Sequence, residues 1–155
     1  MMTLTRRNLF WMAGSAGLFH VLALPAGATV ALADVAVFRN PGCGCCEVWA
    51  KRMTAAGFAV NMTDDPALDQ RRAKLGIPAD LAGCHLSIIG DQFFEGHIPP
   101  DDITAFIFEG PVGALGLAVP GMPMGSPGME SDGAAEAYDV MMIGRDGSRS
   151  VFARH

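Results

Sequence analysis

An α/β domain is predicted by the way short β-rich runs and helix-patterned runs alternate along residues 34–155. Val35-Ala36-Val37-Phe38 is a β-rich run that Asn40-Pro41-Gly42 ends. Residues Cys46 to Ala56 then carry a 3.6-residue period, which Gly57 can close as a C-cap. Two further β-rich runs, 85–89 and 93–97, flank Gly90-Asp91-Gln92 and predict a hairpin.

The remaining elements come in order. In the first helix Trp49 and Met53 are expected to face the core. Phe58 to Met62 reads as a second strand. Pro66 to Leu75 reads as a helix that Asp64-Asp65 can cap and Gly76 closes. Pro99-Pro100-Asp101-Asp102 opens a third helix running to about Phe108, and Gly110-Pro111 stops it. The order is βαβαββα, with the hairpin at the sheet edge and Phe93, Phe94, Phe106 and Phe108 in the core. Gly113 to Gly133 is rich in Gly, Pro and Met without any period and is expected to be a loop. Tyr138–Ile143 and Ser148–Ala153, around Arg145-Asp146-Gly147, predict a C-terminal hairpin.

Residues 1–33 read as a leader. Arg6-Arg7 precedes an apolar stretch, Leu9 to Leu24, that is broken by glycines and shorter than the roughly 20 residues a spanning helix needs. Ala31-Leu32-Ala33 fits a small-residue cleavage pattern, with the cut before Asp34, and the arginine pair points to the twin-arginine route. An uncleaved anchor is the alternative. The chain from 34 onward would be one domain, exported to the periplasm. Loss of Arg6 and Arg7 leaves nine basic against 16 acidic residues, a net charge of −7. That balance argues against nucleic acid, whose phosphates reward clustered Lys and Arg.

The four cysteines are Cys43, Cys45, Cys46 and Cys84. In an oxidising compartment an even count favours disulfides. Adjacent Cys45 and Cys46, with Cα atoms about 3.8 Å apart, cannot pair within the usual range. A Cys43–Cys46 bridge is feasible but leaves Cys45 reactive beside it. Three thiols within four residues are better explained as metal ligands. They stand where a strand end meets a helix N-terminus, whose free N–H groups favour thiolate. Cys45 points away from the other two on a regular helix, so convergence needs an irregular first turn or several bridged ions. Cys84-His85 opens the third strand and His97 closes the fourth, so the hairpin brings the histidines together. Thiolate with imidazole suits copper, zinc or iron and excludes magnesium and calcium. Met122, Met124 and Met129 offer soft thioethers in the loop, or merely fill gaps there.

Cys43-Gly44-Cys45-Cys46, Cys84-His85, Glu95-Gly96-His97 and the stretch Val119 to Glu130 resemble, in this order, the CopG-type family of periplasmic copper-resistance proteins. The resemblance implies a thioredoxin-like fold and a cysteine-bridged copper cluster holding more than one ion and cycling Cu(I) and Cu(II). It carries over Cys43, Cys45, Cys46, Cys84, His85 and His97 as metal-site residues, and another periplasmic copper-handling protein as a partner. A thiol–disulfide oxidoreductase using Cys43 and Cys46 is the rival reading, although no proline follows Cys84 where thioredoxins place theirs. A structural zinc site is the third, although six candidate ligands exceed the four that closed zinc takes.

Overall fold

The computed structural model describes residues 31–155, so nearly all of the leader expected at 1–33 lies outside the described residues. Among these, no helix is long and apolar enough to cross a membrane. Seven strands form one mixed sheet: β1 (Asp34–Arg39), β2 (Ala59–Asp64), β3 (His85–Ile89), β4 (Gln92–Glu95), β5 (Ala114–Ala118), β6 (Asp139–Gly144) and β7 (Arg149–Arg154). Their spatial order is β2-β1-β3-β4-β5-β6-β7. Helices α1 (Gly44–Ala55), α2 (Leu68–Lys74) and α3 (Pro100–Glu109) connect them, and a short 3₁₀ turn spans Ala79–Leu81. The βαβαββα order expected for the first seven elements is present.

Strand pairing explains how remote residues meet. β1 pairs in parallel with β2 across the α1 crossover, and antiparallel with β3 on its other side. The register sets Arg39 opposite His85, so the loop leaving β1 and the residues entering β3 sit at the same end of the sheet. β3 and β4 form the predicted hairpin, turning at Gly90-Asp91, where Gly90 takes φ +60°.

Apolar side chains divide between the two sheet faces. On one, Trp49 and Met53 of α1 and Ile103 and Phe106 of α3 pack with Val35, Val37 and Phe94. On the other, Leu68 of α2 packs with Ile77, Leu81, Leu86 and Phe93. Trp49 and Met53 are fully buried, as their spacing requires.

Three expectations need correction. Residues 113–133 are not all loop, because Ala114–Ala118 is a strand lying parallel to β4. Its sequence, ALGLA, is buried along most of its length and therefore lacks the alternation that marks a half-exposed strand. Gly116 lies so close to the backbone of Phe93 that any side chain there would clash with its carbonyl. Second, β5 and the β6–β7 hairpin extend the sheet beyond β4, so the β3–β4 hairpin lies inside the sheet rather than at its edge. Third, Phe108 is 69% exposed while Phe106 is fully buried. The two residues differ by about 200° around the helix, so only one can face the sheet.

The residues ahead of β1 already belong to the sheet's end. Leu32 N donates to Gly57 O at 2.8 Å, and Ala59 N donates to Ala33 O at 2.9 Å. A cut before Asp34 removes both bonds, each worth about 1 kcal/mol.

Two consequences can be measured by urea unfolding. Phe106→Ala is expected to cost about 3–5 kcal/mol, whereas Phe108→Ala stays within about 0.5 kcal/mol; equal costs would contradict the assigned helix face. A chain beginning at Asp34 is expected to be less stable than one beginning at Ala31 by about 1–2 kcal/mol, and identical midpoints would deny those two bonds any role.

Candidate metal centre

The sulfur cluster is built at the start of α1. Cys43 is the N-cap residue, with extended backbone at φ −70° and ψ 97°, so its side chain is free of the helical spiral. That departure resolves the difficulty of three thiols within four residues: Cys43 stands outside the helix, while Cys45 and Cys46 occupy its first turn. Arg39 pins the loop by donating to Cys43 O at 2.9 Å, and it pairs with Glu47 and Asp64 at 3.0 and 2.7 Å.

Cys84 arrives from the opposite side of the β1–β3 pair. Its Sγ lies 2.9 Å from Cys43 Sγ, 3.2 Å from Cys45 Sγ and 3.3 Å from Cys46 Sγ. Cys43 and Cys46 are joined by a disulfide, and Cys45 and Cys84 are free thiols. The bridge that the spacing made feasible is thus the one formed. Burial, reinforced by the Cys45 contact, pushes the Cys84 thiol up to about 12.

The imidazoles lie behind Cys84, under α1. His85 and His97 are fully buried, with ring centroids 5.0 Å apart and nearly perpendicular. Trp49 covers His85 at 4.2 Å between centroids and is itself held by a 2.9 Å hydrogen bond from Nε1 to Ile98 O. His97 Nδ1 lies 2.8 Å from Pro127 O, an anchor that turns Nε2 inward. Both ring nitrogens of His85, and Nε2 of His97, are buried without any hydrogen-bond partner. Buried polar atoms almost always find partners. Two buried imidazoles, each with an unpartnered ring nitrogen and standing beside a cluster of four sulfurs, are the pattern expected of groups that bind a metal ion.

Two ligand sets meet the geometric requirement that all their donor atoms lie within 4.8 Å of one another: Cys43, Cys45, Cys46 and Cys84, and Cys84, His85 and His97. Cys84 belongs to both. The six cysteine and histidine positions singled out in the sequence are therefore neighbours in space. The methionines divide. Met122 lines the same cavity as Cys43 and Cys84, whereas Met124 and Met129 are half-buried and are not among its lining residues.

Supporting residues were less visible in the sequence. Glu95, fully buried, accepts from Arg72 Nη2 at 2.7 Å and Nε at 3.1 Å, and from Gly83 N at 2.7 Å. Arg72 also donates to Gly83 O at 3.0 Å. Both polar groups of the residue before Cys84 are thereby fixed. Burial pushes the Glu95 carboxyl above its ordinary range, against the pull of the guanidinium and the Gly83 N–H. For Glu95 the available signals were its place in the Glu95-Gly96-His97 motif and an acid beside the aromatic residues of β4; neither pointed to Arg72.

The Gly- and Pro-rich loop closes the site from above. Gly128, at φ +89°, sits against α1 so closely that a Cβ would fall 2.9 Å from Cys45 O and from Trp49 N. Glu130 pairs with Arg52 of α1 at 2.7 Å.

Comparisons with known proteins find relatives in sequence and in structure. Residues 81–129 match a family described as protein of unknown function, DUF411. Two solved structures described as copper resistance protein CopG, Form 1 and Form 2, superpose with a TM-score of 0.75 each. They are 37% and 38% identical to this chain, cover 79% of it, and are themselves covered to 97% and 98%. No curated protein sequence matches.

The buried imidazoles predict a pH dependence. Burial, then the His97 ring and Arg72, hold His85 well below the ordinary imidazole range; burial lowers His97 as well, against its contact with Pro127 O. The unfolded chain takes up these protons as pH falls below about 6.5, while the native state refuses them. The unfolded state then binds more protons, so stability falls with acidification. For the metal-free protein the loss is up to about 1.4 kcal/mol per pH unit per histidine, read from urea midpoints between pH 7 and 5. His85→Gln should flatten the slope. A wild-type midpoint constant over that interval would contradict the neutral pair.

Proposed function

We propose, from the premise that the chain belongs to the family of the copper resistance protein CopG, that it binds more than one copper ion at Cys43, Cys45, Cys46, Cys84, His85 and His97 and serves copper resistance in the periplasm. The observation that carries the reading is that four sulfurs gather in one cluster and that Cys84 of that cluster also gathers with one ring nitrogen each of the buried His85 and His97. Thiolate and neutral imidazole are soft and borderline donors, suited to Cu(I). Cys84 belongs to both ligand sets, and a shared thiolate is what bridging two ions requires. The fold around the site is read as thioredoxin-like, with residues 1–33 as a twin-arginine leader removed on export. A second periplasmic copper-handling protein is the expected donor or acceptor.

The Cys43–Cys46 pair gives the site a redox partner of its own. As a disulfide it offers no thiolate and leaves Cys45, Cys84, His85 and His97 as ligands. As a dithiolate it completes the set of six. Oxidation of that dithiolate releases two electrons, which reduce two Cu(II) to two Cu(I) as the S–S bond forms. The chain itself would thus supply the electrons for one reduction of two Cu(II). A further round would need an external thiol reductant to restore the dithiolate and an oxidant to return Cu(I) to Cu(II).

Thiol–disulfide exchange draws support from the same disulfide and from the nearness of Cys84. The distances oppose attack by Cys84 on that bridge, and exchange through Cys43 and Cys46 alone leaves Cys45, His85 and His97 without a role. Displacement requires the attacking sulfur in line with the S–S bond, so that it is farther from the second sulfur than from the first by about 2 Å. Cys84 Sγ is 2.9 and 3.3 Å from the two, and so lies beside the bond. A closed zinc site uses four ligands and leaves two of these six without a role.

Metal analysis of protein loaded with Cu(I) tests the assignment. The reduced protein is expected to hold more than one copper per chain, the oxidised protein fewer, and Cys45→Ser fewer than wild type in the reduced state. A weak one-to-one complex would count against the multinuclear reading. Zinc retained in preference to copper would favour the structural alternative.

A further inference from the structure

A copper site built from these six residues leaves open how an ion reaches ligands that are largely covered. The histidine side is closed: His85 and His97 are fully buried, with Trp49 against one ring and Pro127 O against the other. The sulfur side is open. Cys43 and Cys84 border a cavity of about 410 Å³ formed by residues 40–43, 82–84 and 121–122.

The walls of that cavity are chemically plain. Gly42, Ala82, Gly83 and Gly121 contribute almost no side chain, and no charged residue lines it. Besides the two cysteines, Asn40 with Pro41 and Met122 bring larger side chains to it, and of these only Met122 carries a soft donor; it is 54% exposed. Its position is fixed by the fold: Gly121 N donates to Ala82 O at 3.1 Å, and Gly83 and Gly121 form a parallel bridge. The residue after Gly121 is thus held beside the residue after Gly83, which is Cys84. A methionine this exposed contributes little to the core, so burial does not account for it.

Resting on the copper reading of the site, we propose that Met122 is its receiving ligand: the thioether takes Cu(I) at the mouth of the cavity and passes it by ligand exchange to the free thiol of Cys84. A thioether is a neutral soft donor, which holds Cu(I) without first losing a proton. Thiolate is anionic and binds it more strongly, so the ion moves inward. In the transfer the bond between copper and the Met122 sulfur breaks as the bond to Cys84 forms, and the Cys84 thiol proton leaves to water. Copper remains Cu(I) throughout, and no electron is exchanged. Met124 and Met129, outside the cavity lining, take no part.

Stopped-flow transfer of Cu(I) from a chromophoric chelator to the purified, reduced protein tests the role. Met122→Leu keeps the size and exposure of the side chain, so folding is not at issue. Its copper stoichiometry at equilibrium is expected to match wild type, while its transfer rate falls roughly tenfold, the scale of one lost contact. Met124→Leu and Met129→Leu are expected to transfer at the wild-type rate. An unchanged rate in Met122→Leu overturns the proposal, and a reduced stoichiometry overturns it too by making Met122 a resident ligand. Wild-type protein that takes up no Cu(I) sinks the copper reading itself, an outcome distinct from either.

Discussion

Everything at the metal centre depends on the antiparallel pairing of β1 with β3. The register that sets Arg39 opposite His85 delivers Cys84 to the loop leaving β1. Residues some 40 positions apart thus become neighbours through backbone hydrogen bonds, with no side chain required to recruit another. A shift of one residue would turn His85 to the opposite face of the sheet, away from α1, because side chains alternate along a strand. The apolar pattern resists such a slip. Leu86 and Ile88 pack on the α2 face while Ile89 packs under α1 with Val35 and Val37. Core burial therefore fixes the position of the imidazole that no hydrogen bond holds.

The second constraint is the buried pair of Arg72 and Glu95. A buried ion pair is a poor source of net stability, since desolvation offsets most of the attraction, but removing one partner costs about 3–5 kcal/mol. Here the pair does something an apolar contact could not. Between them the two side chains hold both Gly83 N and Gly83 O. The approach to Cys84 is thereby locked from α2 and β4 at once. The other face of the site is set by Pro127 O on His97 and by Gly128 against α1. A loop without regular structure thus acts as a rigid part of the centre, because its glycines permit close approach and its backbone carbonyl orients a ring.

The sequence was most legible where a local rule sufficed. Strands β1 to β4, helix α1 with Trp49 and Met53 inward, and the C-terminal hairpin follow from periodicity and from Gly and Pro punctuation. The grouping of Cys84, His85 and His97 with the first three cysteines was readable because hairpin and crossover topology leave few alternatives. Three things were hidden. β5 has small residues buried on both faces, so neither alternation nor β-branching marks it. Phe108 has the composition of a core residue, and only helix phase exposes it. The Glu95 pair and the Pro127 carbonyl act through contacts with remote residues, one of them through the main chain, which no spacing rule encodes.

Burial in this centre is graded in a way that gives it a direction. The imidazoles lie deepest, fully covered and unable to hold a proton without disturbing the core; Cys46 is buried with them, while Cys43, Cys45 and Cys84 are half-exposed. From the Met122 thioether to the half-exposed cysteines, donor strength toward a soft cation rises as access falls, and the deepest donors, the imidazoles, are neutral and borderline. The outermost sulfur, that of Met122, is neutral and weak, and the thiols behind it strengthen as they lose protons. On the copper reading, a soft cation arriving at the mouth therefore passes from a thioether to the stronger thiolates. No carboxylate lines the cavity, so a hydrated divalent ion finds only neutral groups such as the Asn40 carboxamide to offset shedding its water. On the copper reading, discrimination against such ions begins in the cavity that Met122 shares with Cys43 and Cys84.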